Sequence, residues 1–563
     1  MESFAQYPGV YAEWSPNEKV AMEVALGAAL AGARTMVVMK HVGVNVAADP
    51  LFTASYTGTN GALVVITADD PSLHSSQNEQ DNRHYARFAK IPMLEPADSQ
   101  EAKQFIKLAF QISEQFDTPV FLRSTTRVSH SKSVVDLEEP QARADRMAIR
   151  IDAEKYVMVP MNARKRRIVV EKRMQNLKEF AETFPENRVE INNTEVGIIT
   201  AGMPYNYAKD VFPDYSYLKL GMVHPLPAEL IKRFASRVKK LYVLEELDPF
   251  LEEQIRALGI PVSGKEVFPY TNEFDPSIVE AGIAGKAQES SCRVPQGDIP
   301  PRPPNLCPGC PHRGLFYVLG KMNVFVAGDI GCYTLSFMKP LAGIHSCICM
   351  GASIGMAHGM SKALGQKGKV VGVIGDSTFI HSGITPLLDM AYNRSDAVIV
   401  ICDNRTTAMT GMQEHPATGF TLQGEKTMGV DLAKLATTLG IDSVRVVDPH
   451  DLKAVRGALQ EELDREGPSV IITRRACVLF KREAAPSGKP LRVDEDKCTG
   501  CRACLGLGCP PITWNLRQED TPKKQRAGGK RAGEGFARIE RNRCTGCGLC
   551  RQVCKVGAIA EEG

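Results

Sequence analysis

Residues 369–404 read KVVGVIGDSTFIHSGITPLLDMAYNRSDAVIVICDN. This pattern predicts an apolar strand, a turn, a helix and a second apolar strand, in that order. Helical stretches of the same kind occur elsewhere, for example at Glu18–Ala33 and Gln100–Phe116. Apolar strands that alternate with helices predict parallel sheets covered on both faces. The predicted fold class is therefore α/β, with doubly wound sheets. The apolar runs of strand length are Thr35–Met39, Ala62–Thr67, Val189–Ile199 (interrupted at Asn192–Thr194), Lys240–Leu244, Val370–Ile374, Ala397–Cys402 and Ser469–Thr473.

The composition is that of an ordinary globular protein. At about 100–200 residues per domain, a chain of 563 residues predicts three to five domains. The net charge of +3 gives no reason to expect a nucleic-acid partner. No apolar run approaches the ~20 residues that span a bilayer, and the N-terminus lacks the basic and apolar regions of a signal peptide. We therefore expect a cytoplasmic protein without a membrane partner.

Changes in local composition suggest where domains begin and end. The basic stretch Asn162–Arg173 and the proline-rich stretch Val294–Cys307 are candidate breaks within the α/β part. A third candidate, Glu483–Leu491, precedes a cysteine-rich tail. The predicted domains span residues 1–160, 185–290, 300–482 and 490–563.

Eight of the sixteen cysteines fall within the last 66 residues, in two runs spaced C-x2-C-x2-C-x4-C and C-x2-C-x2-C-x3-C. In a reducing compartment such cysteines are expected to be ligands rather than disulfides. The runs resemble those of bacterial two-cluster ferredoxins, in which the fourth cysteine of each run ligates the other cluster. A pair of zinc knuckles is the alternative, although zinc ligands usually come as two separated pairs. The resemblance implies one [4Fe–4S] cluster on Cys498, Cys501, Cys504 and Cys554, and another on Cys544, Cys547, Cys550 and Cys509.

The segment between these cysteine runs is basic. Residues 510–543 contain nine Lys or Arg and four Asp or Glu, a local net charge of +5. Such a segment is either a solvated loop or a landing surface for an acidic electron carrier.

Two polar residues of the opening stretch follow its two strands. Asp376 and Asn404 lie at the carboxyl ends of strands that flank one helix, and such ends face the same crevice of a parallel sheet. Carboxylate and amide oxygens are ligands for Mg2+, which also binds diphosphate oxygens, and Thr406 could add a backbone carbonyl. The alternative is an ordinary strand–helix–strand unit with a surface aspartate.

This spacing resembles the magnesium–diphosphate motif of thiamine diphosphate enzymes, with Ser377 in place of the last glycine of Gly-Asp-Gly. In those enzymes a glutamate from a different domain exchanges a proton with the aminopyrimidine ring of the cofactor. The segment NEKVAM at residues 17–22 resembles that region, which implies that Glu18 has this catalytic role. Glu13 is a competitor, and a glutamate at a helix start is also explained by the helix dipole.

Thiamine elements combined with a fused two-cluster ferredoxin module resemble the 2-oxoacid:ferredoxin oxidoreductase family, and within it the large subunits of the indolepyruvate branch. The resemblance places the diphosphate and pyrimidine pocket near Gly331, Gly351, Ser353, Asp376, Ser377, Asn404 and Thr406. Its most specific stretches are EWSPNEKVAMEVALGAALAGAR (13–34), KHVGVNVAADP (40–50), TADDPSLHSSQNEQDNRHYARFAKIPMLEP (67–96), CPGCPHRG (307–314), GDIGCYTL (328–335), CMGASIGMAHGM (349–360) and DNRTTAMTGMQEHPATG (403–419).

The family resemblance implies three thiamine-enzyme-like domains, of which the middle one is similar to the C-terminal domain of transketolases, followed by a small α+β ferredoxin domain. Family members carry an additional N-terminal segment with a Tyr-Pro-Gly-Thr-Pro loop close to the substrate, so the first domain is expected to be short here.

The implied activity is oxidative decarboxylation of arylpyruvates to aryl-acetyl-CoA and CO2, with electrons passing through [4Fe–4S] clusters to ferredoxin. The implied cofactors are thiamine diphosphate, Mg2+ and the clusters, with coenzyme A as co-substrate. A small beta subunit completes the enzyme in the family, so a hetero-oligomer is expected. The alternatives are a different 2-oxoacid substrate, an electron-transfer subunit with a vestigial thiamine site, and a non-redox thiamine decarboxylase or carboligase.

Cysteines outside the tail form a second pattern. In related pyruvate oxidoreductases a C-x2-C pair, a Gly-Cys and a late cysteine hold a cluster close to thiamine. The same pattern here implies a third [4Fe–4S] cluster, whereas core cysteines or a zinc half-site are the alternatives. The four residues are Cys307, Cys310, Cys332 and Cys477.

Overall fold

The structure, a computed structural model, describes residues 3–138, 151–285, 302–365, 369–480, 482, 488–516 and 535–561. The chain divides into two compact units, one of residues 17–298 and one that combines residues 1–16 with 299–563. Among the helices of these described ranges, none is both long and apolar enough to cross a bilayer.

The unit of residues 17–298 contains two sheets flanked by helices. The first has the order β1-β2-β4-β3-β8 and is parallel except for β8, whereas the second has the order β5-β7-β6-β9 and is parallel except for β5. Its strands are β1 Arg34–Lys40, β2 Ala62–Asp69, β3 Met93–Leu94, β4 Val120–Thr125, β5 Arg188–Glu190, β6 Val196–Ala201, β7 Ser216–Leu220, β8 Met222–His224 and β9 Lys240–Leu244. Its helices are α1 Glu18–Leu30, α2 His41–Val46, α3 Ala48–Thr57, α4 Arg83–Ala89, α5 Ser99–Phe116, α6 Thr126–His130, α7 Ala153–Tyr156, α8 Pro160–Glu182, α9 Met203–Val211, α10 Ala228–Ala235, α11 Phe250–Ala257 and α12 Pro276–Ala284.

Local chemistry explains where the first helix begins and ends. The Asn17 side chain accepts a hydrogen bond from the Val20 N–H, which caps the start of α1. The helix ends at Leu30, earlier than the predicted Ala33, because Gly32 adopts a φ of +93° that favours glycine and turns the chain into β1.

The basic stretch Asn162–Arg173, predicted as a candidate break between domains, lies inside the 23-residue helix α8, which connects β4 of the first sheet to β5 of the second. Pro160 occupies the first turn of the helix, where a missing N–H is tolerated. Val170 and Leu177 are buried on one face of α8, and the buried Arg173 donates a hydrogen bond to the Ser55 carbonyl at the end of α3. The buried face of the helix holds apolar residues together with Arg173, whereas most of its other charged residues are exposed or half-buried.

A buried ion network lies at the carboxyl ends of the first sheet. The Arg123 guanidinium on β4 donates hydrogen bonds to Asp69 Oδ2 at 2.7 Å and to Glu95 Oε1 at 2.6 Å, and all three side chains are buried. Arg83 likewise faces Asp81 at 2.5 Å and Glu245 at 2.6 Å. These charged side chains are buried away from bulk solvent, so the stability of each depends on its partner.

We predict that Arg123→Leu destabilises this unit by about 3–5 kcal/mol, because it leaves two buried carboxylates without their cation. Arg34→Leu is the matched control, since the partly exposed Arg34–Glu114 pair should contribute only about 0–1 kcal/mol. Calorimetric unfolding of the full chain measures both. Equal shifts of the unfolding midpoint in the two variants would contradict the assigned role of Arg123.

The second unit is built on one parallel sheet of six strands in the order β11-β10-β12-β13-β15-β14, followed by two antiparallel strand pairs, β16-β19 and β17-β18. Its strands are β10 Phe325–Gly328, β11 Ser346–Cys347, β12 Val370–Gly375, β13 Val398–Asp403, β14 Ser443–Val447, β15 Ser469–Arg474, β16 Leu491–Val493, β17 Ile512–Leu516, β18 Gly535–Ile539 and β19 Ile559–Glu561. Its helices are α13 His312–Leu319, α14 Ala352–Leu364, α15 Asp376–Thr378, α16 Ile384–Tyr392, α17 Leu432–Thr438, α18 Leu452–Asp464 and α19 Leu549–Val553. The predicted α/β class with a small cysteine-rich tail is confirmed.

The strand order of the large sheet reverses between β10 and β12, because the chain first adds β11 beside β10 and then returns to add β12 on the other side. Ligands of open α/β sheets bind at such a reversal, outside the carboxyl ends of the strands.

The cysteine-rich tail shares a hydrophobic core with this sheet. Leu315 and Phe316 of α13 belong to the same buried cluster as Leu507 and Leu549 of the tail. A Cβ added to Gly314 would lie 1.9 Å from the Pro449 carbonyl oxygen, so glycine permits the close approach of α13 to its neighbours. The tail is therefore packed onto the sheet domain rather than tethered to it.

Candidate cofactor and electron-transfer site

The predicted metal ligands lie together at the carboxyl edge of the large sheet. Asp376 follows β12 and Asn404 follows the adjacent β13. The Asp376 carboxylate accepts hydrogen bonds from the Ser377 and Arg405 backbone N–H groups, both at 2.8 Å, and the Asn404 Oδ1 accepts one from the Thr406 N–H at 3.3 Å. Asp376, Asn404 and Thr406 are all buried. The site therefore presents three oxygen-bearing residues in a fixed arrangement.

Two buried histidines that the sequence did not single out contact these residues. His312 Nε2 lies 3.4 Å from Asn404 Nδ2, and burial lowers the pKa of His312 to about 4. The neutral ring can accept from the amide nitrogen, which leaves the amide oxygen for a metal. His415 Nε2 lies 3.4 Å from Asp376 Oδ2. His312 lies within the stretch CPGCPHRG and His415 within DNRTTAMTGMQEHPATG. Membership of these two family-like stretches was the sequence signal that could have identified them.

Asp329, also missed from the sequence, organises the neighbouring strand end. It follows β10, is fully buried and accepts hydrogen bonds from the Gly351 N–H at 2.8 Å and the Ser353 N–H at 3.0 Å. Burial raises the pKa of the Asp329 carboxyl, and these N–H groups oppose that effect. Gly351 has a φ of +89°, and a Cβ there would lie 2.5 Å from the Ser382 Cβ. Asp329 thus fixes the start of α14 beside the strand-order reversal.

The remaining predicted pocket residues, Gly331 and Ser377, lie at the same edge. A Cβ on Gly331 would lie 2.4 Å from the Tyr333 ring, so glycine is required there by close packing. Ser377 Oγ accepts a hydrogen bond from Thr407 Oγ1 at 2.9 Å. Tyr333 joins the ends of β10 and β12, since its hydroxyl donates to the Ile330 carbonyl and accepts from the Gly375 N–H.

The predicted catalytic residue, Glu18, lies in the other unit as the first residue of α1. Its side chain is partly buried against α2, where a Cβ on Gly43 would lie 2.7 Å from the Glu18 Cγ. The competitor Glu13 accepts hydrogen bonds from the nearby Tyr11 and Ser15 hydroxyls.

The eight tail cysteines line two cavities, and each cavity receives three thiols from one run and the fourth from the other. The first also contains Pro308 and Gly309, and the second also contains Arg502 and Trp514. The quartets are Cys509, Cys544, Cys547 and Cys550 in the first cavity, here named the inner quartet, and Cys498, Cys501, Cys504 and Cys554 in the second, here named the outer quartet.

Burial holds several of these thiols in their protonated form. It raises the pKa of Cys550 to about 12 and the pKa values of Cys504 and Cys509 to about 11. Thiolates are the species that bind metal, so loading either quartet must release protons.

The four cysteines predicted to bind a third cluster also lie near one another. Burial, with smaller contributions from the neighbouring Cys307 and Cys477, raises the pKa of Cys310 to about 12. Burial also raises the pKa of Cys332, and the same two neighbours, Cys477 and Cys307, contribute to that shift. The Cys477 N–H donates a hydrogen bond to the Asn404 carbonyl at 3.0 Å, so Cys477 lies beside the predicted metal ligands. These four cysteines are here named the hook set, and the segment of residues 307–310 is named the hook.

The hook set lies next to the inner quartet in the structure. Gly309, between Cys307 and Cys310, has a φ of +71°, and a Cβ there would lie 2.3 Å from the Thr545 Oγ1. The backbone of the hook therefore reaches into the loop that carries Cys544 and Cys547.

The landing surface predicted for residues 510–543 falls largely outside the described residues, because 517–534 are not among them. Of the basic residues in the described part, Arg538, Arg541 and Arg543 are exposed.

Three family models match the chain. Residues 9–195 match the model of pyruvate flavodoxin/ferredoxin oxidoreductase, thiamine diphosphate-binding. Residues 329–473 match the C-terminal binding domain of thiamine pyrophosphate enzymes, and residues 490–555 match a 4Fe-4S dicluster domain.

Curated relatives match nearly the whole chain, and each is named indolepyruvate oxidoreductase subunit IorA. The protein from Archaeoglobus fulgidus is 41% identical over 98% of this chain and 89% of its own length. Those from Methanothermobacter marburgensis and Pyrococcus horikoshii are each 39% identical, over 100% and 99% of this chain and 92% and 91% of their own lengths. A solved 2-oxoglutarate:ferredoxin oxidoreductase from Magnetococcus marinus covers 49% of this chain and 57% of its own, with 16% identity and a TM-score of 0.37, too distant to support an argument.

These matches confirm the family expected from the motifs, together with its thiamine diphosphate and 4Fe-4S domains. With identities near 40% over almost full length, the chain is an oxidoreductase of the 2-oxoacid:ferredoxin type and belongs to the indolepyruvate oxidoreductase subunit IorA family.

Proposed function

We propose that this chain catalyses the thiamine diphosphate-dependent oxidative decarboxylation of arylpyruvates of the indolepyruvate type, with coenzyme A as acyl acceptor and ferredoxin as electron acceptor. The observation that carries the proposal is that the oxygen ligands at the ends of β12 and β13 and both cysteine quartets belong to one compact unit. The names of the relatives support the substrate class.

The residues at the sheet edge fit a magnesium diphosphate group. A carboxylate, an amide oxygen and a backbone carbonyl from Asp376, Asn404 and Thr406 are the donor types that Mg2+ prefers. Gly331 and Gly351 are required by close packing against Tyr333 and Ser382, which holds the loops at this edge in place. When bound, thiamine diphosphate supplies the electron sink that allows a 2-oxoacid to lose its carboxyl group.

The protein contributes fixed positions and a proton-transfer group. Asp376 and Asn404 would hold the metal, His312 would orient the Asn404 amide, and His415 lies 3.4 Å from the Asp376 carboxylate. We propose that Glu18 exchanges a proton with the aminopyrimidine ring of the cofactor, as the family motif implies. Its position as the first residue of the capped helix α1 supports this proposal.

The cysteine sets fit iron–sulfur clusters. Each quartet encloses a cavity lined mainly by thiols and apolar side chains, which suits a [4Fe–4S] cluster bound by four thiolates. We propose that the hook set binds a third. Such clusters supply one-electron carriers, and the hook set adjoins both the metal ligands and the inner quartet.

The enzyme is proposed to act as a hetero-oligomer with a small beta subunit, in agreement with the designation of its relatives as subunits. Reconstitution with that subunit, followed by ferredoxin reduction assays on a panel of 2-oxoacids with coenzyme A, tests the proposal. Indolepyruvate and phenylpyruvate should be the best substrates. Preference for pyruvate or 2-oxoglutarate would contradict the substrate class, and no reduction by any 2-oxoacid despite bound cofactors would indicate an electron-transfer subunit.

Asp376→Ala should weaken magnesium-dependent binding of thiamine diphosphate by about 100-fold or more, because it removes a metal ligand rather than an outer partner. Asp389→Ala is the matched control, since this aspartate is exposed on α16. Calorimetric titration of the purified protein at several Mg2+ concentrations measures the effect. Unchanged affinity in Asp376→Ala would mean that the diphosphate binds elsewhere.

Glu18→Gln should lower turnover by about 10²–10⁴-fold, because an amide cannot exchange the proton. Thiamine diphosphate content and iron content should stay at the wild-type level. Glu13→Gln provides the comparison and should retain most of its activity. If Glu13→Gln is the inactive variant instead, the two assignments are reversed.

Iron analysis distinguishes two clusters from three. The reconstituted chain should bind about 12 Fe with three four-iron clusters and about 8 Fe with two. Cys307→Ser should lower the iron content towards the lower value, whereas Cys347→Ser, outside all three cysteine sets, should not. A Cys307→Ser variant with the full wild-type iron content would exclude the third cluster.

A further inference from the structure

Arg313 ties the hook to the loop that precedes Cys509. It lies on α13, and its guanidinium is buried at 1% exposure. Nη1 donates a hydrogen bond to the Leu507 carbonyl at 2.7 Å, and Nη2 donates to the Leu306 carbonyl at 2.6 Å and more weakly to the Cys307 carbonyl at 3.2 Å. One side chain therefore holds two ligand-bearing loops that are far apart in sequence.

The charge of Arg313 has no carboxylate partner among the described residues. Two other arginines are equally buried, and both face carboxylates at 2.5–2.7 Å, Arg83 with Asp81 and Arg123 with Asp69. The hydrogen bonds of Arg313 go only to backbone carbonyls, and its Nε has no partner in the described structure. A buried cation without an anion is costly, so this position calls for negative charge nearby.

The groups around Arg313 that could supply this charge are thiols. Arg313 lines the cavity of the inner quartet together with Cys509, and its backbone N–H donates a hydrogen bond to the Cys310 carbonyl at 3.2 Å. Cys310 belongs to the hook set and Cys509 to the inner quartet. Four thiolates around a [4Fe–4S] core form an anion in both of its usual oxidation states, so loading either set would provide the missing charge.

We propose that Arg313 is the buried counter-charge shared by the clusters of the hook set and the inner quartet, and that it sets their reduction potential while holding their loops together. The inference rests on the proposed cluster binding. Arg313 is a positioning residue, since it contacts the loops and not the reacting atoms.

The charge has a measurable consequence for reduction. A reduced cluster is more negative than an oxidised one, so a nearby buried cation favours the reduced state. Arg313→Gln removes the charge and keeps a hydrogen-bond donor. Arg313→Lys keeps the charge and loses the forked geometry. Comparing the two variants separates electrostatics from hydrogen bonding.

Redox titrations of the full-length, iron-loaded protein, followed by electron paramagnetic resonance, test the proposal. In Arg313→Gln the reduced-to-oxidised ratio of at least one cluster should fall about tenfold at a fixed potential, a shift of about 59 mV for a one-electron couple. Arg313→Lys should stay close to the wild type. Arg551→Gln is the control, because Arg551 adjoins Cys550 in sequence but is mostly exposed and paired with Glu561, and it should leave the potentials unchanged.

Wild-type potentials in Arg313→Gln, or equal shifts in Arg313→Gln and Arg313→Lys, would overturn the proposal. The Arg313→Gln variant could fail to retain iron. In that case, full iron content in Arg313→Lys supports the role of the charge. Iron loss in both variants refutes it. A wild-type protein without cluster signals would instead refute the proposed cluster binding itself.

Discussion

The parallel pairing of β10, β12 and β13 is the constraint on which the rest of the site depends. Because neighbouring parallel strands end at the same edge, the residues that follow them are brought together without any dedicated loop. Asp329, Asp376 and Asn404 occupy those three positions. The strand order reverses between β10 and β12, which opens the crevice, and Asp329 fixes the start of α14 next to it.

The same sheet domain also positions the cysteines. The hook precedes α13, a helix whose apolar side chains share a core with the tail. Packing of this kind limits movement of the tail relative to the sheet, so the spacing between the hook set and the inner quartet is set by the fold. Electron transfer between redox centres falls steeply with distance, which makes a rigid junction preferable to a flexible linker. Arg313 and Gly309 lie at this junction.

Local patterns in the sequence predicted much of this arrangement. Apolar runs such as Val370–Ile374 predicted the strands, and Asp376 and Asn404 could be recognised because each lies two residues beyond the end of such a run. Asp329 could not, since its importance arises from contacts with the backbone near Gly351, which only the tertiary fold creates. The sequence did not predict the helix α8, because its charged residues obscure the pattern of the few buried apolar ones that pack it against its neighbours. Arg313 lay inside a recognised motif, but only the fold shows that no carboxylate among the described residues pairs with it.

The central claim is that electrons from a 2-oxoacid oxidised at the thiamine site reach clusters bound by the same chain. Anaerobic mixing of the reconstituted enzyme with indolepyruvate and coenzyme A, without external ferredoxin, tests it most directly through the visible absorbance of the clusters. The account predicts that the substrate bleaches this absorbance. Unchanged absorbance in a protein that retains thiamine diphosphate, iron and its partner subunit would contradict it.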